Sequence, residues 1–426
     1  MNMDTVSAHS KFNRIWIPVA MLMMIVLTPN IRIPGIPSLR LEQFTAFLVI
    51  LLWMSALAKG KKVKVYLSGF SLGLLLFSAV IILSIMVGAI QGVTVVMNDF
   101  FEIYKIIVYL GIYTVISTYI EHERDQLLLL NRLNLFIVAS GIFSATQYVN
   151  LFGLNEYYVP LIAPTQFTTL VAGYRTPRVV GLTANPNTYG AMTAIGAILS
   201  LYLLLKTGKK RNILYFLINF GACLMTLSRS GFVLLGAGAA LILLMHFKEK
   251  VFSLGKILNN KINFRDIKVL IGAVLVISGF VYGLLNYLPE AFTWRLLEGA
   301  NLATSRGWQA RLHNWGENIE LFRMSPIFGI GPAKSIDYQF AADNEWLLLL
   351  RQYGLTGTIY FILMFLMPLI MKRKKQPHSQ LYIAVAFGVA LFMVPAAVFH
   401  SFQLMGMISA MIAIIFWRED RLKILG

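Results

Sequence analysis

The residue types best suited to chemistry lie in one polar interval late in the chain, residues 288–346. It carries four arginines, one histidine and the adjacent carboxylates of Asp343 and Glu345. A guanidinium group presents a planar fork of donors that matches phosphate oxygens, and an ionised carboxylate can accept a proton from a hydroxyl group. We therefore expect this interval to bind an anion and to carry any proton transfer.

The candidates in this interval differ in role. Asp343 and Glu345 precede a long apolar run, where the N-terminus of a helix favours charged carboxylates, and Asp343 is its predicted N-cap. A lone histidine is more often structural than catalytic. The catalytic candidates are Asp343, Glu345 and Arg311, and the binding candidates are Arg306, His313 and Asn344.

A second polar interval, residues 152–187, ends with Arg175, Arg178 and Asn187 beside the next apolar run. Asn187 is the predicted N-cap of that helix, whose free amides and positive dipole end would meet the two arginines. This pattern predicts an anion site, although a cap beside an ordinary polar loop is an equal alternative. Arg229 lies in a short turn between two apolar runs, where a bound anion or a carboxylate explains it better than open solvent.

The elements that position these residues are membrane helices. The 426-residue chain is 58% hydrophobic and 13% charged, with a mean hydropathy of +0.70, which excludes a soluble globular protein. The net charge of +18 lies in short clusters between apolar runs, as topology signals do, so we expect no nucleic-acid partner.

Hydropathy predicts an all-α, polytopic membrane protein with about twelve spanning helices in a single membrane domain, residues 1–426. Residues 152–187 and 288–345 are its predicted external loops. An apolar stripe from Trp308 to Phe322 predicts an amphipathic helix in the larger loop. The predicted spans are 15–31, 40–58, 67–90, 100–119, 133–151, 187–205, 212–228, 231–247, 268–287, 346–371, 380–399 and 402–417.

Lysine and arginine are distributed differently over the predicted loops. The lysine clusters 59–62, 206–211, 248–268 and 372–375 all fall on one side, which predicts cytoplasmic N and C termini. Arginines dominate the opposite, external side. For Arg32 and Arg40 taken singly, contact with lipid headgroups is the favoured explanation, whereas anion binding explains the external set better.

Several classes of chemistry lack their sequence signatures. The single cysteine, Cys223, permits no internal disulfide, and there is no zinc spacing, phosphate loop or nucleophile elbow. We therefore expect neither a metal nor another cofactor. Glu102 and Lys105 are the main charges deep within a predicted span, and such a small number disfavours an ion-coupled transporter.

Four motifs in this order resemble the O-antigen polymerase (Wzy type) and O-antigen ligase superfamily, over residues 175–357. They are 178–187 (Arg-Val-Val-Gly-Leu-Thr-Ala-Asn-Pro-Asn), 228–231 (Ser-Arg-Ser-Gly), 325–331 (Ser-Pro-Ile-Phe-Gly-Ile-Gly), and 343–346 (Asp-Asn-Glu-Trp) with 353–357 (Tyr-Gly-Leu-Thr-Gly).

The resemblance implies a GT-C-like membrane glycosyltransferase that takes glycan from undecaprenyl pyrophosphate, without a nucleotide sugar, at the outer face of the bacterial cytoplasmic membrane. Arg178, Arg229 and the loop arginines, Arg311 foremost, would correspond to its pyrophosphate-binding positions.

The ligases carry a histidine where this chain has Asp343, which favours a polymerase of O-antigen, capsular or other surface polysaccharide. A ligase acting on lipid A core is the nearer alternative, and a lipid-linked oligosaccharide flippase or exporter the more distant one. The implied partners are membrane lipids, a chain-length regulator and a flippase.

Overall fold

The computed structural model describes residues 3–33, 36–60, 65–171, 177–255, 306–337, 343–370, 376–417 and 422–424. Helices dominate these ranges, which otherwise hold connecting loops and four short strands, so the predicted all-α class is confirmed. The helices are α1 Met3–Leu27, α2 Leu41–Ala58, α3 Gly69–Ile90, α4 Phe101–Thr118, α5 Glu123–Tyr148, α6 Leu154–Ile162, α7 Phe167–Leu170, α8 Pro186–Thr207, α9 Arg211–Met225, α10 Arg229–Gly255, α11 Arg306–Met324, α12 Lys334–Asp337, α13 Glu345–Ile370, α14 Ser379–Phe392 and α15 Phe402–Ile415.

Each predicted span within the described ranges corresponds to one of these helices, namely α1 to α5, α8 to α10 or α13 to α15. The predicted span 268–287 lies outside the described residues. Six helices of the described part are long and apolar enough to cross a membrane, and four shorter apolar helices accompany them. The chain is thus a polytopic membrane protein, and the total of twelve spans stays a prediction.

The strands form two antiparallel pairs. β1 (Ile31–Ile33) pairs with β2 (Ile36–Leu39) between α1 and α2. β3 (Val65–Leu67), which precedes α3, pairs with β4 (Leu422–Ile424) near the end of the chain. The second pair joins two segments that the predicted topology places on the same side of the membrane.

The described loops collect at two ends of the helix bundle. We call the end with residues 28–33, 36–40, 177–185, 226–228 and 393–401 the upper end, and the end with residues 207–210 and 376–378 the lower end. At the upper end, Arg178 Nε donates to Thr226 O at 3.2 Å. At the lower end, Tyr202 Oη near the end of α8 donates to Pro377 O at 3.0 Å. The described parts of the predicted external loops lie at the upper end, and which membrane face that end meets stays a prediction.

Small residues allow α8 and α10 to approach closely. A Cβ added to Gly231 would lie 3.1 Å from the carbonyl carbon of Gly190, and one added to Gly190 would lie 2.7 Å from Ser228 Cβ. Membrane helices commonly pack through such residues, because lipid provides no hydrophobic drive for helices to associate. This contact fixes the upper ends of α8 and α10 beside each other.

Candidate functional site

A cavity of about 320 Å³ opens at the upper end of the bundle. Arg40 before α2, Asn187 in the first turn of α8, Asp343 before α13 and His400 before α15 all line it. Segments far apart in sequence thus converge on one polar space, which is the region where the sequence predicted an anion site.

Arg40 contributes to this cavity from a buried position. Its side chain is 2% exposed, pairs with Glu42 and donates from Nη2 to the carbonyl of Ile25 at 2.8 Å. A side chain that reaches lipid headgroups would extend away from the protein, so the headgroup interpretation of Arg40 is wrong. Its carbonyl-bound guanidinium is instead part of the cavity wall.

The start of α8 holds Arg178 and Asn187 together. The predicted N-cap is wrong by two residues: Asn185 is the cap, and its Oδ1 accepts the N–H of Asn187 at 2.7 Å. Pro186 then occupies the first helical position, where a missing N–H costs nothing. Because the cap lies earlier, the Asn187 side chain accepts a hydrogen bond from Arg178 Nη2 at 2.9 Å.

Arg229 begins α10, next to the start of α8. Ser228 caps this helix, since its hydroxyl accepts the N–H of Gly231 at 3.1 Å, and Leu227 adopts a left-handed φ of 51° that reverses the chain. The arginine side chain is exposed, and the bound anion or carboxylate expected beside it stays a prediction. Arg175 lies outside the described residues, and of Arg306 only the backbone at the start of α11 is described.

Asp343 and Arg311 meet at the mouth of the cavity. The Arg311 Nε lies 3.4 Å from Asp343 Oδ2, and the Asp343 side chain is 62% exposed. Asp343 is not the N-cap of α13; Asn344 is, because its Oδ1 accepts the N–H of Leu347 at 3.2 Å. Because Asp343 does not cap the helix, its carboxylate can contact a molecule bound in the cavity.

Glu345 lies inside the protein, whereas its place in the first turn of the helix predicts it at the outer mouth beside Asp343. It is fully buried, and its Oε2 accepts the N–H of Val398 at 2.7 Å while its Oε1 lies 2.6 Å from His400 Nδ1. Its own N–H donates to the carbonyl of Met393 at 2.9 Å. Glu345 therefore fixes the 393–400 segment, which forms one wall of the cavity.

A buried charge cluster beneath His400 escaped sequence analysis. Glu102 in α4 lies 2.7 Å from Lys105 Nζ, 3.5 Å from Lys334 Nζ and 3.8 Å from His400 Nε2. The only signal for it was the Glu102–Lys105 pair one turn apart in an apolar run. A buried charge is stable only when it is paired and hydrogen-bonded, which is a reason to seek further partners for such a pair.

The 325–331 and 353–357 motifs form one structural unit, the clamp. Helix α13 is interrupted at Gly354, with φ 64° and ψ −169°, and the backbone groups released there bond the 325–331 segment. Leu355 N–H donates to Pro326 O at 2.8 Å, and Gly331 N–H donates to Gln352 O at 2.9 Å. The glycine-rich motif is thus a backbone clamp that positions Gln352.

Helix α11 confirms the predicted amphipathic helix of the larger loop. Leu312 and Ile319 on its apolar stripe are exposed, and the buried Asn318 accepts a hydrogen bond from Arg351 Nη1 at 2.9 Å, which joins α11 to α13. His313 is exposed on the same helix and does not line the cavity. The structure therefore brings Arg311, but not His313, to the site.

Residues 214–362 match the family model described as O-antigen ligase. This stretch runs from α9 into α13 and contains Arg229, Arg311, Asp343 and Glu345. The match confirms the resemblance to the O-antigen ligase and polymerase superfamily. No curated protein matches the chain significantly.

Proposed function

From the O-antigen ligase family match over residues 214–362, we propose that the chain is a membrane glycosyltransferase that polymerises lipid-linked oligosaccharide repeat units. The donor is a glycan on undecaprenyl pyrophosphate at the outer face of the bacterial cytoplasmic membrane. The observation that supports this proposal is the upper cavity, where Arg40, Asn187 and His400 face an exposed carboxylate, Asp343. It combines anion-binding groups with a group able to accept a proton.

The proposed reaction assigns a task to each side of the cavity. The acceptor hydroxyl gives its proton to the Asp343 carboxylate while its oxygen forms a bond to the anomeric carbon of the donor. The bond from that carbon to the pyrophosphate oxygen breaks, and its electron pair leaves with undecaprenyl pyrophosphate. Arg178 and Arg311 stabilise the departing charge through fixed donors.

The polymerase is favoured over the ligase because Asp343 stands where the resembling ligases carry a histidine. A flippase is disfavoured because the arginines of the predicted external loops cluster at one membrane face, whereas a transport path would place basic residues through the membrane interior. A chain-length regulator and a flippase are the proposed protein partners.

The test is reconstitution of the purified chain in lipid nanodiscs with undecaprenyl-pyrophosphate-linked repeat units. Products longer than one repeat unit support the polymerase. Transfer to an added lipid A core without lengthening would replace it with the ligase, and movement of the donor across a vesicle membrane without bond formation would replace it with the flippase.

A further inference from the structure

Another cavity, of about 240 Å³, lies between α5 and α9 at the lower end of the bundle, opposite the upper cavity. We call it the lower cavity. Two helices line it with the residues Leu128, Asn131, Arg132 and Leu135 of α5 and Arg211 and Tyr215 of α9. We propose that the lower cavity binds the phosphate of an anionic phospholipid such as phosphatidylglycerol. Lipid binding there is separate from the proposed polymerase reaction.

The two arginines belong to helix faces that meet across the lower cavity. On α5, Leu128 precedes Arg132 by four residues, so the two side chains share a face, and the same spacing places Arg211 and Tyr215 on one face of α9. Arg211 Nη2 donates to Asn131 Oδ1 at 3.1 Å. This bond joins the two faces and brings the guanidinium of Arg211 to the helix that carries Arg132.

The positive charge of the lower cavity is not neutralised within the described part of the chain. The bond from Arg211 goes to a neutral amide, and no hydrogen bond or ion pair joins Arg132 to another described residue. None of the described residues that line the cavity carries a carboxylate. The Asp125 carboxylate, at the start of α5, accepts the N–H groups of Glu121 and His122. Two guanidinium groups without an anion are a ready site for phosphate oxygens.

The depth of both arginines favours a phosphate that belongs to a lipid. The predicted spans 133–151 and 212–228 begin at the residues that follow Arg132 and Arg211. A basic residue just outside an apolar run lies at the level of the lipid headgroups. A phosphate free in water needs no site at this depth.

Apolar surface beside the arginines suits the chains of a phospholipid. Leu128 and Leu135 are half-buried at the lower cavity, and Ile213, Leu214 and Leu217 are exposed on α9. Exposed apolar side chains on a membrane helix contact lipid chains. Basic pockets between membrane helices, next to such surface, are the kind of site that holds anionic headgroups.

A role as topology signals does not explain this arrangement. Lys206, Lys209 and Lys210 already make the connection between α8 and α9 basic, which is sufficient to mark a cytoplasmic loop. Arg132 lies well inside α5, which begins at Glu123. Its placement opposite Arg211 is explained by a shared anion.

The test measures lipid affinity of the detergent-purified full chain by native mass spectrometry, with phosphatidylglycerol as the probe and zwitterionic phosphatidylcholine as the reference. We expect phosphatidylglycerol to bind about tenfold more tightly, because its headgroup carries a net negative charge. Arg132→Gln should remove this preference, and Arg132→Lys should keep only part of it, because an ammonium group lacks the planar fork. Arg124→Gln is the matched control, since Arg124 is exposed on the same helix but lies about 12 Å nearer its start, and it should keep the preference.

Melting temperatures in detergent show whether each variant is folded, and Arg211→Gln replaces Arg132→Gln if the latter is not. Equal affinity of the unsubstituted chain for the two lipids would overturn the inference. An equal loss of preference in Arg124→Gln and Arg132→Gln would also overturn it, because it would show a diffuse attraction to the basic end of the bundle. A large excess of inorganic phosphate should leave the phospholipid bound, and its displacement would replace the lipid by a free anion.

Discussion

Around the cavity, the partner of each charged residue decides what that residue can do. Glu345 is fully buried and bonded to His400 and Val398, so it can only position other groups. Asp343 is 62% exposed beside Arg311, so it can reach a hydroxyl in the cavity. Of the two predicted catalytic carboxylates, the geometry therefore favours Asp343 as the proton acceptor.

Replacing Arg178 by lysine tests the anion-binding role. The guanidinium bonds Thr226 O and Asn187 Oδ1 through different nitrogens, and an ammonium group cannot reproduce that planar arrangement. We expect Arg178→Lys to slow chain lengthening about tenfold or more in the nanodisc assay, which corresponds to about 1.4 kcal/mol. Arg211→Lys changes an arginine bonded to Asn131 at the lower end and should keep the full rate. Equal rates for both variants would contradict an anion-binding role for Arg178.

Replacing Asp343 by asparagine separates catalysis from stability. A positioned base contributes about 10²–10⁴-fold to rate, so Asp343→Asn should lose at least about 10²-fold in chain lengthening. Its melting temperature should hold, because Asn344 provides the cap and exposed ion pairs contribute about 0–1 kcal/mol. Glu320→Gln removes a comparably exposed ion pair with Arg323 away from the cavity and serves as the control. Near-normal lengthening by Asp343→Asn would transfer the base role to another group.

At the level of elements, the clamp explains how a loop and a broken helix form a rigid frame. Its backbone hydrogen bonds need residues 326–331 to lie against the interruption of α13 without side chains between them. Gly329 has a φ of 72°, and a Cβ there would lie 2.3 Å from Gln352 O. The glycines therefore serve close backbone contact and are not a phosphate loop.

Alanine at either clamp glycine should destabilise the chain. A Cβ at Gly354, where φ is 64°, would lie 2.3 Å from Ile327 O, and left-handed backbone strain alone costs about 1–3 kcal/mol. We expect Gly329→Ala and Gly354→Ala to lower the melting temperature in detergent and the rate of lengthening. Gly316→Ala is the matched control, because nothing lies within 4 Å of its added Cβ and alanine favours the helix by about 0.5–1 kcal/mol. A normal melting temperature for both clamp variants would contradict this account.

At the lower end, the contact between α8 and the start of α14 predicts that the stability of the folded chain depends on pH. His378 Nδ1 lies 2.8 Å from Tyr202 Oη, and burial, with a smaller contribution from Lys206, lowers the pKa of His378 to about 4. Because the unfolded chain has the ordinary pKa of about 6.5, it binds more protons between these values, and stability falls as pH drops from about 6.5 to about 4. We expect His378→Gln to flatten the fall of the melting temperature across that window. An unchanged slope would count against the buried neutral ring.

For the whole molecule, hydropathy predicted the helices well because apolar length is a property of contiguous residues. The predicted N-cap of α8 was wrong because the Asn-Pro-Asn stretch offers both Asn185 and Asn187, and only the folded backbone selects between them. Sequence analysis missed the charge cluster around Glu102 and His400 because that contact joins residues far apart in the chain. Motif resemblance found Asp343 and Arg311 but could not show which carboxylate is exposed.

The last prediction concerns the orientation of the whole molecule, on which every functional proposal depends. The described basic cluster 206–211 lies at the lower end, and a basic excess marks cytoplasmic loops, so the upper cavity should face the exterior. The native Cys223 is fully buried, so it should add little labelling of its own. New cysteines are placed at two exposed positions, Gln309→Cys at the upper end and Lys209→Cys at the lower end. We expect a membrane-impermeant maleimide to label Gln309→Cys in spheroplasts with an intact inner membrane and Lys209→Cys only after permeabilisation. The reverse pattern would place the cavity in the cytoplasm, away from an external lipid-linked donor, and would remove the basis for the polymerase.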